Sequence, residues 1–218
     1  MINKELIEMI QLRIEALYGI RLGIDANEYL ITEKELATLL PSHQQTTIPK
    51  ELFLVNPEPQ DETVEVALFL DDTLKKNLST HNPLERLTNN NISDFCLLIE
   101  GISHFVYYLH KANLEFEITQ LELELQAEID KFLLLALLTS GSSLPHSHLL
   151  DLLFENYCLQ DDLSDEHAER YETANSLAKK YCHTLSTYIK TNRFDKLFEE
   201  IRYFYPLSQE DKIKHILY

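Results

Sequence analysis

Glycine is nearly absent: the 218-residue chain holds four, Gly19, Gly23, Gly101 and Gly141. Phosphate-cradling loops and nucleophile elbows need glycines a few positions apart, and no pair here gives a GxGxxG turn, a Walker A loop or a GxSxG elbow. The scarcity argues against dinucleotide-binding folds, P-loop proteins and α/β-hydrolases. Tryptophan is missing altogether, and cysteine occurs three times, at Cys96, Cys158 and Cys182. Those three are an odd number, widely spaced, without a CxxC, and each lies inside an apolar helical pattern. They read as reduced, buried thiols of a cytoplasmic protein.

Long apolar runs are also lacking. The most apolar stretch, Phe132 to Leu138, is far short of the ~20 residues that cross a bilayer. The N-terminus carries Lys4, Glu5, Glu8, Arg13 and Glu15 where a secretory leader would be apolar. Positive charge is scarce too: 19 Lys and Arg face 36 Asp and Glu, for a net charge of −17. Basic residues are nowhere clustered along the sequence, and the densest pairs are Lys179-Lys180 and Lys212 with Lys214. Phosphate backbones and anionic lipids recruit clustered cations, so neither nucleic acid nor a membrane is expected as a partner. A basic protein partner suits such a surface, on a monomer or small homo-oligomer.

What the chain has in plenty is punctuated helical periodicity. Asn3 suits the start of a helix through Tyr18, with Leu6, Ile10, Ile14 and Leu17 on one face and Gly19 just past its end. Thr32 with Glu35, and Thr119 with Glu122, are capping boxes. The period changes in Glu51–Val55 and Val64–Leu70, β-branched and aromatic runs around Pro57 and Pro59, which predict a hairpin. The alternating Leu114–Ile118 segment is expected to add a third, edge strand. Helices are expected over Ile92–Ala112, from Thr119 to Gly141, from Pro145 to Cys158, over Asp165–Lys190 after Ser164, over Arg193–Tyr205 and over Ser208–Tyr218.

The fold expected is mainly α, of α+β type: a helical bundle with a small antiparallel hairpin or three-stranded element from the N-terminal third. Residues 1–75 form the mixed part and 76–218 the helical part of one compact domain, with a seam near residues 72–90.

One polar cluster stands out. Glu100 and His104 are one turn apart in the apolar helix Ile92–Ala112, and Gly101 beside them implies that something approaches the backbone there. The following helix carries Glu124, Glu128 and Asp130 with Gln126 and Lys131. A satisfied network would pair Glu100 with Lys131 or a tyrosine and His104 with Gln126. The competing readings make Glu100 and His104 a catalytic acid–base pair, or place a divalent metal among Glu100, His104, Glu124, Glu128 and Asp130. The spacing is ExxxH rather than the ExxH of carboxylate-bridged metal bundles, and no nucleophile stands beside the pair. His146, His148 and His167 sit at helix starts and read as surface residues. Tyr203, Phe204 and Tyr205 form an aromatic cluster suited to an interface. The function expected is that of a non-catalytic interaction or regulatory protein without a cofactor, acting through acidic and aromatic surfaces on a protein partner. The alternative is a small metal-dependent or acid–base enzyme, or a ligand-binding bundle, built around Glu100 and His104.

Overall fold

The computed structural model describes residues 4–40, 48–58, 63–139, 146–155 and 165–218. Two compact units make up the chain: Met1–Leu12 with Gly23–Val106, and Arg13–Leu22 with Tyr107–Tyr218. Helices α1 (Lys4–Tyr18) and α4 (Ile92–Asn113) each contribute to both.

The first unit is the α+β part. Asp25 caps a 3₁₀ turn, Ala26–Tyr29, by accepting from the Asn27 amide at 2.9 Å. The turn leads into β1 (Leu30–Ile31) and then α2 (Glu33–Leu39), where the Thr32–Glu35 capping box forms as its spacing predicts. Strands β2 (Glu51–Glu58) and β3 (Thr63–Leu70) make the antiparallel hairpin, with Leu54 opposite Ala67 and Val55 opposite Val66. The third strand is not Leu114–Ile118 but β1, which runs parallel to β3 and gives a mixed sheet of order β1-β3-β2. Helix α3 (Asp72–Thr80), in the stretch expected to be a seam, starts at Asp71, whose carboxylate accepts from the Thr73 and Leu74 amides.

Register places Glu51, Phe53, Leu68 and Leu70 on one face of the sheet. That face meets α4 at Gly101, where an added Cβ would lie 2.9 Å from Glu51 Oε1 and 2.9 Å from Leu68 Cδ1. The glycine is therefore required by the close approach of the strands. Leu36, Leu68, Leu74, Phe95, Leu98 and Ile102 fill the core of this unit and are fully buried.

The second unit is helical. Helix α1 ends in a Schellman motif: Ile20 N–H reaches Glu15 O, Gly19 N–H reaches Ala16 O, and Gly19 takes φ +67°. Two carbonyls of its last turn, Ala16 and Leu17, accept from the Arg202 guanidinium at 3.1 and 3.0 Å. The end of α4 explains the lost strand. Glu115 sits at φ 58°, and the Phe116 and Glu115 amides fold back onto Lys111 O and Ala112 O. Helix closure thus takes the backbone groups that an extended segment would offer a sheet, and Leu114 and Phe116 are left half exposed.

After it come α5 (Gln120–Leu138), α6 (His146–Phe154), α7 (Asp165–Lys190), α8 (Phe194–Phe204) and α9 (Gln209–Leu217). Helices α5 and α7 lie along each other, with α6, α8 and α9 against α7. Asn3, Gly141, Pro145, Cys158 and Ser164 lie outside the described residues, as do the side chains of His146, His148 and His167. Cys96 is a half-buried and Cys182 a fully buried free thiol. Among the described residues α4 is the one helix long and apolar enough to cross a membrane, but 61% of the relevant window is buried inside the protein, as in a core helix.

Candidate functional site

Helix α5 is buried on nearly every side, over 13 residues from Glu122 to Ala136. A carboxylate or amide on such a helix must find partners inside, because a buried polar group without one costs 1–3 kcal/mol or more, as a rough figure. The second unit supplies those partners from four further helices, α1, α4, α7 and α9.

Gln126 is the hub. Its Nε2 donates to Tyr18 Oη at 2.8 Å and to Asp130 Oδ1 at 3.1 Å, and its Oε1 accepts from Lys212 Nζ at 2.8 Å. Tyr18 donates in turn to Asp130. Lys212 is wholly buried, and its ammonium stands 4.4 Å from the ring centroid of Tyr107 and 4.8 Å from that of Phe204. Burial pulls its pKa down to about 7, against the upward pull of Glu122 and Asp130 and with the help of Lys111. Burial, reinforced by Asp130, pushes the Tyr18 and Tyr205 hydroxyls up.

A second arm centres on Glu122, which serves the Thr119 capping box and the core at once. Its Oε2 takes the Thr119 amide at 3.2 Å. Its Oε1 lies 3.1 Å from the Tyr107 hydroxyl that donates to it and 3.3 Å from Lys111 Nζ. Lys111 also donates to Leu207 O at 3.0 Å and to Pro206 O. Glu128 pairs with Lys131 and accepts from Tyr171 at 3.0 Å. The Tyr205 hydroxyl is buried without a hydrogen-bond partner among the described residues while its ring stacks on Tyr18 at 3.7 Å.

These contacts bring in partners that the sequence did not point to, Tyr18 and Lys212 among them. Glu128 and Asp130 are two positions apart on α5 and meet different groups, Lys131 and Tyr171 for Glu128 and Tyr18 and Gln126 for Asp130. Glu124 is half-buried on the same helix.

In the first unit Glu100 is half-buried, while His104 is buried one turn later on α4. The group facing His104 from the sheet is Glu51, with Oε1 3.9 Å from His104 Nδ1, and the Phe53 ring is 6.3 Å from the imidazole. Glu51 was read in the sequence as an ordinary strand residue. It shares with Leu68 the sheet face that presses on Gly101, and the glycine was the signal that could have located it.

Of the three aromatic residues expected at an interface, only Tyr203 is exposed, at 61%. Phe204 and Tyr205 are core residues, stacked on Tyr181 at 4.1 Å and on Tyr18 at 3.7 Å. Sequence reasoning missed Tyr18, Lys111 and Lys212 as members of the buried network. Lys212 did leave a trace, since it occupies the same i,i+4 row of α9 as the buried Ile216.

Concave surfaces among the described residues include two that no member of the buried network lines. One, of about 740 Å³, runs along the hairpin in the first unit, between Leu54–Asn56, Val64–Ala67, Tyr29 and Leu39. The other, of about 570 Å³, lies in the second unit between Leu150 and Asp151 of α6 and the Ser176–Lys190 face of α7. No family model, curated protein or solved structure matches the chain.

Proposed function

We propose that the chain is a non-catalytic interaction protein of the cytoplasm that docks an extended segment of a protein partner along its hairpin groove. The observation that carries this reading is the apolar lining left in water there: Leu39 is 59% and Val64 41% exposed, at the edge of a groove shared with Tyr29, Leu54 and Val66. Contiguous apolar surface of this kind marks a binding site more often than a solvated face.

The backbone supports it. Strand β1 reaches only Leu68 and Phe69 of β3, so among the described residues Thr63–Ala67 has no strand neighbour on that side. An added strand of about five residues would take those amides and carbonyls, with side chains alternating into the groove. Glu65 in the groove, and Glu33 and Glu35 on α2, favour basic residues flanking the docked segment. The free thiols of Cys96 and Cys182 suit a reducing compartment.

The buried polar groups give less support to catalysis. Lys212 has a nucleophile's depressed pKa, yet it is wholly buried and already donates to Gln126. The test is affinity purification with wild type, Val64→Asp, Leu39→Asp and the remote surface variant Tyr203→Ser. A partner retained by wild type and Tyr203→Ser but lost from both groove variants supports the reading. A partner profile identical across all four overturns it.

A further inference from the structure

Although acids outnumber bases almost two to one in the chain, no Asp or Glu occurs anywhere from Thr173 to Phe194. The cations of that stretch are not scattered. Helical periodicity puts Lys179, Lys180, His183 and Lys190 along one side of α7, and all four line the groove of about 570 Å³ against α6. Read along the sequence these are a pair of lysines and two isolated residues. The helix assembles them into a concave basic surface, with Ser176 and Thr184 adding hydroxyls, Leu150 an apolar wall and Asp151 a carboxylate, while Glu155 pairs with Lys179.

We propose that this groove binds a compact polyanion, a small molecule carrying two or more phosphate or carboxylate groups. Charge complementarity selects the class. Three lysines stand against two carboxylates, Asp151 in the lining and Glu155 paired with Lys179, in a protein whose overall charge is −17, so the groove is a local inversion of the protein's field. Two of its basic groups are uncommitted: neither His183 nor Lys190 has a side-chain hydrogen bond or ion pair among the described residues, whereas Lys179 pairs with Glu155 and Lys180 donates to Leu217 O. Free donors can be given to a ligand without breaking an existing contact.

Size argues for a small ligand over a polymer. The rise from Lys179 to Lys190 is about 16 Å at 1.5 Å per residue, and the volume falls within the range of small-molecule sites. A nucleic acid strand would extend beyond the groove onto acidic surface, beyond the reach of these lysines at a Debye length of roughly 8–10 Å.

The experiment is a backbone-amide NMR titration of the full chain with inorganic pyrophosphate and, separately, with citrate, on wild type and on Lys180→Gln/Lys190→Gln. All four cationic side chains are exposed, so the double variant should keep the wild-type spectrum away from the groove. The expected result is saturable shifts confined to α7 and the facing part of α6, with affinity about tenfold or more weaker in the double variant. Preference for pyrophosphate assigns phosphate chemistry, and preference for citrate assigns carboxylate chemistry. Shifts that never saturate, that spread over other helices or that are equal in the double variant overturn the proposal. A single-stranded oligonucleotide that binds the groove more tightly than either small anion overturns it as well.

Discussion

Replacing Lys212 by Met tests whether the second unit carries a buried amine at a cost. The ordinary lysine value of 10.5 falls to about 7, chiefly through burial. At about 1.4 kcal/mol per tenfold, that difference is on the order of 5 kcal/mol between the unfolded and folded environments. The sign follows from proton counting. Between about pH 7 and 10.5 the unfolded chain holds the Lys212 proton and the folded chain has released it, so stability rises with pH across that window, and the penalty is fully present below it. From about pH 6 to 9 the linkage gives wild type a gain of roughly 2–3 kcal/mol. Lys212→Met removes the titration while keeping most of the volume, and it strips Gln126 Oε1 of its donor, a loss of about 1–2 kcal/mol. The variant is therefore expected to be the more stable protein by roughly 3–4 kcal/mol at about pH 6 and by no more than about 1 kcal/mol at about pH 9, so that the two pH curves converge. Urea denaturation followed by circular dichroism at three pH values measures it. Parallel curves would refute the reasoning. So would a variant weaker than wild type by more than about 3 kcal/mol at every pH, which would mean that Lys212 is held charged against Glu122 and Asp130.

Two further expectations concern the same core. Asp130→Ala leaves the Tyr18 hydroxyl and the Gln126 amide without their acceptor and should cost about 3–5 kcal/mol, with the double variant carrying Tyr18→Phe losing less than the sum of the two single losses; chemical denaturation of the three variants checks it. Cys182 is fully buried, and burial together with Glu128 and Asp130 pushes its thiol pKa up; under native conditions a thiol reagent should therefore modify half-buried Cys96 well before Cys182, and equal rates would contradict the packing of α7.

How much of this was legible follows from which interactions are local. Capping boxes, the Schellman glycine at Gly19 and the hairpin depend on residues a few positions apart, and Thr32 with Glu35, Thr119 with Glu122, and Glu51–Val55 against Val64–Leu70 all form as their spacing implies. The sheet's third strand was not legible. Two residues, Leu30–Ile31, leave no alternation to read, while Leu114–Ile118 alternates strictly yet is turned back by Glu115 at φ 58°. Helix α3 was missed because Asp71 and a short polar run look like a linker. In the candidate sites, the residues on α4 and α5 were recognisable as buried polar groups, but their partners were not. Gln126 finds Tyr18 and Lys212, at sequence separations of 108 and 86, and no one-dimensional pattern specifies such pairings. The basic groove was hidden for a related reason: linear proximity undercounts cations that a 3.6-residue repeat brings to one side.

Gly101 is where sequence and structure can be set against each other most directly. In a helix interior, Gly→Ala by itself is expected to gain about 1 kcal/mol. Here the new methyl would meet Leu68 Cδ1 and Glu51 Oε1 at 2.9 Å each. Both are the ends of side chains, but Leu68 is fully buried and the Glu51 side chain is 8% exposed, so neither can swing into solvent without leaving its packing. Overpacking of that kind costs about 1–3 kcal/mol. The balance for Gly101→Ala then lies between neutral and a net loss of roughly 2 kcal/mol, cancelling or reversing the propensity effect. Leu68→Val removes the nearest methyl from the strand, so in that background the same substitution should become neutral or stabilising. The double-mutant cycle should show a coupling above about 0.5 kcal/mol by urea midpoints at constant m-value. If Gly101→Ala instead stabilises wild type and the Leu68→Val protein by the same amount, the sheet does not press on α4 at this point. In that event Glu51 loses the contact that holds it near His104.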